Sequence, residues 1–494
     1  MTDTLSTTAP VTTGLYIGGQ SRSTADVLEV VDPARPGVVV GTAAAATQQD
    51  VADAVAAATE AFPAWSALPA PERAAAMAAA IAGIADDRDE DARVLSLENG
   101  KVRMEAWVDA LVFEIRWQLA LSLAEEVDRP TVLPPAPGIP VETTVSHQPL
   151  GVVTVIVPFN WPIAILGAAL PHALLAGNTA IVKPPPSTPL ATTRLVQRVA
   201  EKLPPGVLNV VTGRDGEMAG LIDNPLVAKV CFTGSVNGGK KMMEMASRNL
   251  TRVTLELGGN DAAILRADAV LDDEHLDRLY AGVFDTTGQI CMAAKRLYVH
   301  RSRMDELVAG LSARLERVVL GHGLAEDTTM GPLHQPAQKA FVAEIVEEAR
   351  ASGATVLEFG ELPGGEFAEG NFLRPAVVVD PDPSLRVVTQ EQFGPVIPVI
   401  PYDDDAEAVR LANDTWGGLC GSVWSADTEA ATRLGAQLQC GYVWINDHGA
   451  TRLDLRAPFG GMKQSGMGRE QGIQGVRSFQ DTRSIAHLVP GDPA

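Results

Sequence analysis

Hydrophobic positions along the chain switch repeatedly between two periods. Over Asp50–Ala67 and Pro71–Asp86 they recur at helical spacing in Ala-rich segments. The second segment opens on a proline at a first-turn position, where a missing N–H is tolerated. The run Gly-Val-Val-Thr-Val-Ile-Val from Gly151 is continuous and β-branched, which predicts a buried strand, and Ile163–Leu175 then returns to helical spacing. The alternation continues with strand Asn178–Lys183, helix Leu190–Lys202, strand Gly206–Val211, a short helix near Glu217–Ile222 and strand Ala228–Phe232. A second series follows Leu257: helix Leu276–Thr287, strand Leu297–His300, helices Arg303–Arg317 and Pro336–Ser352, and strand Ala354–Glu358. Strands separated by helices of this length predict βαβ units and parallel sheets covered on both faces, here in two α/β units.

Other segments have a different texture. Arg129–Pro140 is dominated by proline, Val141–Ser146 alternates apolar and polar like a half-exposed strand, and Ser484–Val489 is similar. Such strands decorate a surface or pair with another subunit. Met1–Thr13, rich in Thr, Ser, Ala and Pro, reads as a loose tail without the features of a secretory signal. Residues 151–182 carry no charge and are long enough to span a bilayer, but Pro158, Pro162 and Pro171 interrupt them and Asn160 and Asn178 place amides inside. A buried strand–turn–helix is the better fit, and no membrane association is expected.

Composition narrows the class. At 46% hydrophobic and 20% charged, the 494 residues can build large cores, about three structural units' worth. The net charge of −22 and the absence of any Lys/Arg cluster argue against nucleic acid. Four cysteines cannot form a disulfide framework, which suggests a reducing, cytoplasmic compartment. The eight histidines lack metal-ligand spacing, so no metal is expected.

A few residues could carry chemistry. Cys231, Cys420 and Cys440 sit in apolar or small-residue stretches and read as buried small hydrophobes, whereas Cys291 stands in a loop-like turn after a helix. Glu256, between leucines and before Gly258-Gly259, is poorly placed for solvation; its pKa should rise, which suits a general base, unless the turn amides satisfy it. Lys183 ends a strand where α/β sheets place ligands, or is a solvated strand-end charge. The turns Val211-Thr212-Gly213, leading to Gly216, and Phe232-Thr233-Gly234-Ser235, leading to Gly239, could each hold a phosphate at a helix start or merely turn the chain.

Taken in order, these segments resemble the NAD(P)-dependent aldehyde dehydrogenase superfamily from about Leu15 to the C-terminus. The similarity is carried by Pro158-Phe159-Asn160-Trp161-Pro162, Gly177-Asn178, Lys183-Pro184, Phe232-Thr233-Gly234-Ser235 with Gly239, and Glu256-Leu257-Gly258-Gly259. It continues through Gly288-Gln289-Ile290-Cys291, Glu391-Gln392-Phe393-Gly394-Pro395, Asn413 with Gly418-Leu419, Trp444-Ile445-Asn446, and Pro458 to Gly466.

The resemblance implies two interleaved Rossmann-like parallel-sheet domains plus a small β oligomerisation element. It suggests a dinucleotide-binding domain from 1–125 and 147–257, a catalytic domain from 258–470, and an oligomerisation element from 126–146 and 471–494. It implies oxidation of an aldehyde to the acid, with Cys291 as nucleophile, Glu256 as base for the hydrolytic water and Asn160 as oxyanion donor. Cofactor contacts would come from Ile156, Pro158, Lys183, Pro186, Gly216, Phe232, Gly234, Ser235, Leu257, Glu391 and Phe393. Trp161, Phe284 and Phe459 would wall the substrate tunnel, Phe284 being equally open to core packing. The glutamate that NAD-preferring members carry three positions after the lysine is replaced here by Pro186, so NAD is expected and NADP stays open. Ala168, where several relatives have tryptophan, hints at a roomier pocket for a medium-sized aliphatic or aromatic aldehyde. Arg452 and Arg456 read as solvated loop charges, or as attractors of a carboxylate. A homodimer or homotetramer is implied. A cysteine-dependent esterase or thioesterase, and a non-enzymatic protein of the same fold, are the alternatives.

Overall fold

The computed structural model describes residues 10–489. Its centre is an eight-stranded sheet whose inner strands, in spatial order Arg252–Leu257, Val227–Gly234, Val152–Ile156, Thr179–Lys183 and Leu208–Val210, all run parallel. Antiparallel strands finish both edges, Gly466–Met467 on one side and Leu15–Ile17 with Gln20–Arg22 on the other. A seven-stranded sheet takes the second series in the order Thr355–Glu358, Ala376–Val379, Val396–Tyr402, Ala294–His300, Asp261–Leu265, Cys420–Trp424 and Tyr442–Ile445. All but its first pair are parallel. Continuous apolar runs such as Val152–Ile156 are buried at every position, as strands covered by helices on both faces must be. The uncharged stretch is strand Val152–Ile156, helix Pro162–Leu175 and strand Thr179–Lys183, and no helix among the described residues is long and apolar enough to cross a membrane.

Several elements differ from the sequence reading. Val11–Thr13 belong to no loose tail: they pair parallel with Gly41–Ala43, while Met1–Ala9 lie outside the described residues. The helix expected over Pro71–Asp86 stops at Ala80, because Gly83 takes a left-handed φ of 78° and a 3₁₀ turn Ile84–Asp87 follows. Two 3₁₀ turns, Asp215–Glu217 and Ala219–Leu221, replace the short helix near Glu217–Ile222. The half-exposed strand extends over Val141–Pro149 and pairs antiparallel with Gln480–Leu488 and Thr131–Leu133, forming a separate three-stranded sheet. Gly466–Met467 fall within the 258–470 segment yet pair with Leu255 and Glu256 in the eight-stranded sheet, so the chain returns to that sheet before its last helix.

Helices Arg88–Asn99 and Arg103–Leu121 had no counterpart in the sequence reading. The second packs on Pro162–Leu175, and Gly167 permits the crossing: a Cβ there would lie 3.0 Å from the Phe113 Cα. This close approach carries Val108, Val112 and Arg116 to the cavity described below.

Candidate active site

The register of the eight-stranded sheet gathers the residues of one end. Ile156 is opposite both Lys183 and Phe232, and Gly234 is opposite Leu257. These residues therefore stand together at the carboxyl ends of four adjacent parallel strands, where open α/β sheets bind ligands. Ser235 caps helix Val236–Ala246, its Oγ accepting the Gly238 N–H at 3.1 Å. Other first-turn N–H groups have no intrahelical partner, so this helix start can receive an anion. A Cβ on Gly238 would strike the Phe232 ring at 2.7 Å and one on Gly239 would strike Leu257 at 2.6 Å, so the turn is pressed onto its own strands. Beyond it, Val236, Asn237, Lys240, Glu391, Trp416 and Gln464 border an open cleft of about 620 Å³. Pro158 and Pro186 follow the strands ending at Ile156 and Lys183, and Gly216 lies in the turn Asp215–Glu217. Parallel strand ends, a capped helix start, a lysine and a carboxylate are the donor and acceptor set a dinucleotide requires, and the residues fit one.

Cys291, Glu256 and Asn160 line a second cavity, of about 700 Å³. The nucleophile loop is held in an unusual backbone. Thr286, Thr287 and Gly288 are all left-handed, with φ of 54°, 58° and 72°, a conformation that β-branched residues rarely adopt. Helix Asp273–Phe284 consequently ends three residues before the expected Thr287. The loop is tied down at each residue. The Thr286 N–H donates to Glu105 Oε1 at 2.6 Å, Thr286 Oγ1 accepts from Trp161 Nε1 at 3.0 Å, and Thr287 Oγ1 donates to the Gly331 carbonyl at 3.0 Å. Asn160 Nδ2 donates to the Gln289 carbonyl at 2.8 Å. An amide nitrogen carries two N–H groups, so a second remains for the cavity that Asn160 lines.

Burial pushes the Cys291 thiol up to about 12, helped by the Glu391 carboxylate and opposed by Lys295, with Asp261 and Glu256 adding to the rise. The resting side chain is therefore a thiol. Glu256 is 5% exposed and neither carboxylate oxygen has a hydrogen-bond partner. The Gly259 amide turns instead to Glu391 Oε1, at 3.3 Å, so the turn does not satisfy Glu256. Burial holds the Glu256 pKa well above the ordinary carboxylate range; nearby Glu470 adds to this and Arg469 opposes it. Glu391 is itself raised to about 7 by burial, against the pull of Lys295 and the Gly259 N–H.

The sequence profile of the aldehyde dehydrogenase family matches residues 20–485. The chain belongs to the aldehyde dehydrogenase family. It is 35% identical to glutarate-semialdehyde dehydrogenase of Pseudomonas putida, over 96% of this chain and 97% of that protein. It is 36% identical to phenylacetaldehyde dehydrogenase of Pseudomonas fluorescens over 80% of each. Among solved structures, betaine aldehyde dehydrogenase of Staphylococcus aureus in complex with NAD+ has a TM-score of 0.91 at 32% identity, covering 98% of this chain and 96% of that one.

Of the aromatic residues offered as tunnel walls, this aldehyde dehydrogenase places Trp161 and Phe459 on the cavity, with Ala168 beside them. Phe284 is a correction: it is buried with Leu276, Leu279 and Val283 in the core beneath the seven-stranded sheet, its ring 5.4 Å from Tyr280. The helix is amphipathic, and Phe284 falls on its core-facing stripe. Arg452 and Arg456 are exposed and do not line the cavity; Arg456 grips Asp454 with Nε–Oδ1 at 2.9 Å and Nη2–Oδ2 at 2.8 Å. The solvated-charge reading is the one this geometry favours. Phe393, at a left-handed φ of 48°, sits 5.5 Å from Lys295 Nζ.

Sequence reasoning missed Arg116, Glu470, Glu105 and Lys295. Arg116 and Glu470 line the cavity and are both buried. Burial lifts Glu470 to about 7, with Arg116 and Lys229 opposing. Glu105 is the third residue of helix Arg103–Leu121, where it also accepts the Val102 N–H at 3.2 Å, but nothing local to it points to Thr286, 181 residues away.

Proposed function

We propose that the chain is an NAD+-dependent aldehyde dehydrogenase that hydrolyses its acyl intermediate to the free acid. The observation that carries this reading is one cavity lined by a cysteine, an oxyanion donor and a buried carboxylate with both oxygens free. NAD+, when bound, supplies the hydride acceptor and a cationic ring. Cys291 Sγ gives its proton to solvent and adds to the aldehyde carbonyl carbon, and the Asn160 side chain with the Cys291 backbone N–H holds the oxyanion. Loss of hydride from this tetrahedral adduct leaves a thioester on Cys291. Glu256 then takes a proton from water as its oxygen attacks the thioester; the acid leaves and the sulfur is released. Glu256 acts after the first attack, because an ionised carboxylate near Sγ would oppose the thiolate.

Lys183 is assigned to the adenosine ribose, the Gly234–Ser235 turn to the pyrophosphate, and Glu391 with Phe393 to the nicotinamide side. The substrate reading rests on the apolar part of the walls, Val108, Val112, Trp161, Ile165, Met292 and Phe459, with Ala168 leaving width; the buried Arg116 and Glu470 share the lining. An uncharged medium-sized aliphatic or aromatic aldehyde suits them. The three-stranded sheet, with Val132, Leu133, Ile485 and Leu488 exposed, supports assembly into a homo-oligomer, and four free cysteines support a cytoplasmic setting. Absorbance of reduced cofactor across an aldehyde panel, with Cys291→Ala as control, tests the reading. Absence of cysteine-dependent signal with every aldehyde and both cofactors would reject it.

A further inference from the structure

Lys183 has a partner that its own strand does not supply. Its Nζ donates to Asp215 Oδ1 at 2.6 Å, the lysine side chain 6% exposed and the aspartate 84% exposed. Asp215 opens the turn Asp215–Glu217 after strand Leu208–Val210. That strand is the parallel neighbour of the lysine's strand, with Val210 opposite Val182. Two strand ends thus bring an ammonium and a carboxylate together at the binding end of the sheet, one residue wide of the open side of Gly216, where a Cβ would meet nothing within 4 Å. Pro186, on the lysine's own loop, offers no carboxylate and no donor. Arg214, next to Asp215, is turned away, its guanidinium paired with the Asp26 carboxylate and the Val27 carbonyl.

We propose that Asp215 selects NAD+ over NADP+ by accepting the adenosine ribose hydroxyls on its outward carboxylate oxygen while Lys183 fixes its position. The inference rests on the NAD-dependent reading above and deepens it. An ionised carboxylate only accepts hydrogen bonds, which matches a ribose diol. A 2′-phosphate brings about −1.5 to −2 charges and further acceptors, and it would face that carboxylate, with the Lys183 ammonium beside it already engaged by Asp215. In dinucleotide folds generally, an acidic residue on the ribose favours NAD and a nearby arginine accommodates the 2′-phosphate. Here the acid is present and the arginine next to it is occupied. The lysine, its charge already balanced by Asp215, is a poorer phosphate partner than a free ammonium would be.

The test is direct binding, with no aldehyde present. NAD+ and NADP+ are titrated into the full-length wild type and into Asp215→Asn, Asp215→Ser and Asp215→Glu, following tryptophan quenching or heat. The wild type should bind NAD+ more tightly than NADP+. Asp215→Asn and Asp215→Ser should shift the ratio of the two dissociation constants toward NADP+ by about tenfold or more, and Asp215→Glu should keep the wild-type preference. Exposure of the aspartate lets all three variants be compared at matched melting temperatures. A wild type that binds NAD+ and keeps an unchanged ratio in both uncharged variants would overturn this assignment alone. A wild type that binds neither dinucleotide would overturn the NAD-dependent reading and this inference with it.

Discussion

Replacing Glu256 by glutamine keeps the shape of the side chain and removes its basicity. In the folded protein both carboxylate oxygens are unpartnered, so the substitution breaks no hydrogen bond. The kinetic expectation is a clean division of the reaction. The aldehyde should still add to Cys291 and yield one equivalent of reduced cofactor per active site, while hydrolysis of the thioester slows by about 10²–10⁴, the usual contribution of a positioned base. The thermodynamic expectation follows from the same burial. Burial and Glu470 raise the Glu256 pKa above its unfolded value, so the folded state holds the proton more tightly. The stability this contributes is complete below ~4.3 and is lost as pH rises, by about 1.4 kcal/mol per unit until the folded-state pKa is passed. Glutamine does not titrate. The variant should therefore gain stability relative to wild type as pH increases through that window. Rapid-mixing absorbance measures the burst, and urea unfolding at several pH values between about 5.5 and 8 measures the slope. Full turnover in Glu256→Gln would refute the base assignment, absence of a burst would refute the order of events, and a stability difference independent of pH would refute the electrostatic account.

Other residues yield equally specific outcomes. Asn160→Ala should lower kcat by about 10²–10³ with little change in cofactor affinity, read by steady-state kinetics, because one oxyanion donor is lost. Ala168→Trp should fill part of the cavity and raise KM for aromatic aldehydes far more than for acetaldehyde; equal effects on both would mean that this wall does not meet the substrate. Lys101 Nζ and Asp109 Oδ2 form a fully buried pair at 2.9 Å, so Lys101→Met should destabilise the fold by about 3–5 kcal/mol in chemical denaturation. Adding Asp109→Asn should recover part of that loss, because the uncompensated charge is then removed.

Chemistry in this chain is written locally. Cys291 in its turn, Glu256 between leucines and the glycine turn at Gly234 each declare themselves within a few residues, and so do the βαβ alternation and the desolvation of Glu256. These signals are local because side-chain period and turn residues depend on near neighbours along the chain. The partnerships were decided only by folding. Asn160 meets the Gln289 carbonyl across 129 positions and Glu105 holds Thr286 across 181, distances over which no sequence period reaches. Phe284 shows the limit from the other side: its helical spacing announces burial, but a buried face can meet a core or a tunnel, and only the packing of its helix against the seven-stranded sheet chose the core. The left-handed Thr286 and Thr287 contradict their own backbone preference and persist because hydrogen bonds from distant elements hold them. Asp215 is the same lesson at the cofactor site. Along the chain it lies 32 residues from Lys183, and the parallel register of two strands sets it 2.6 Å away.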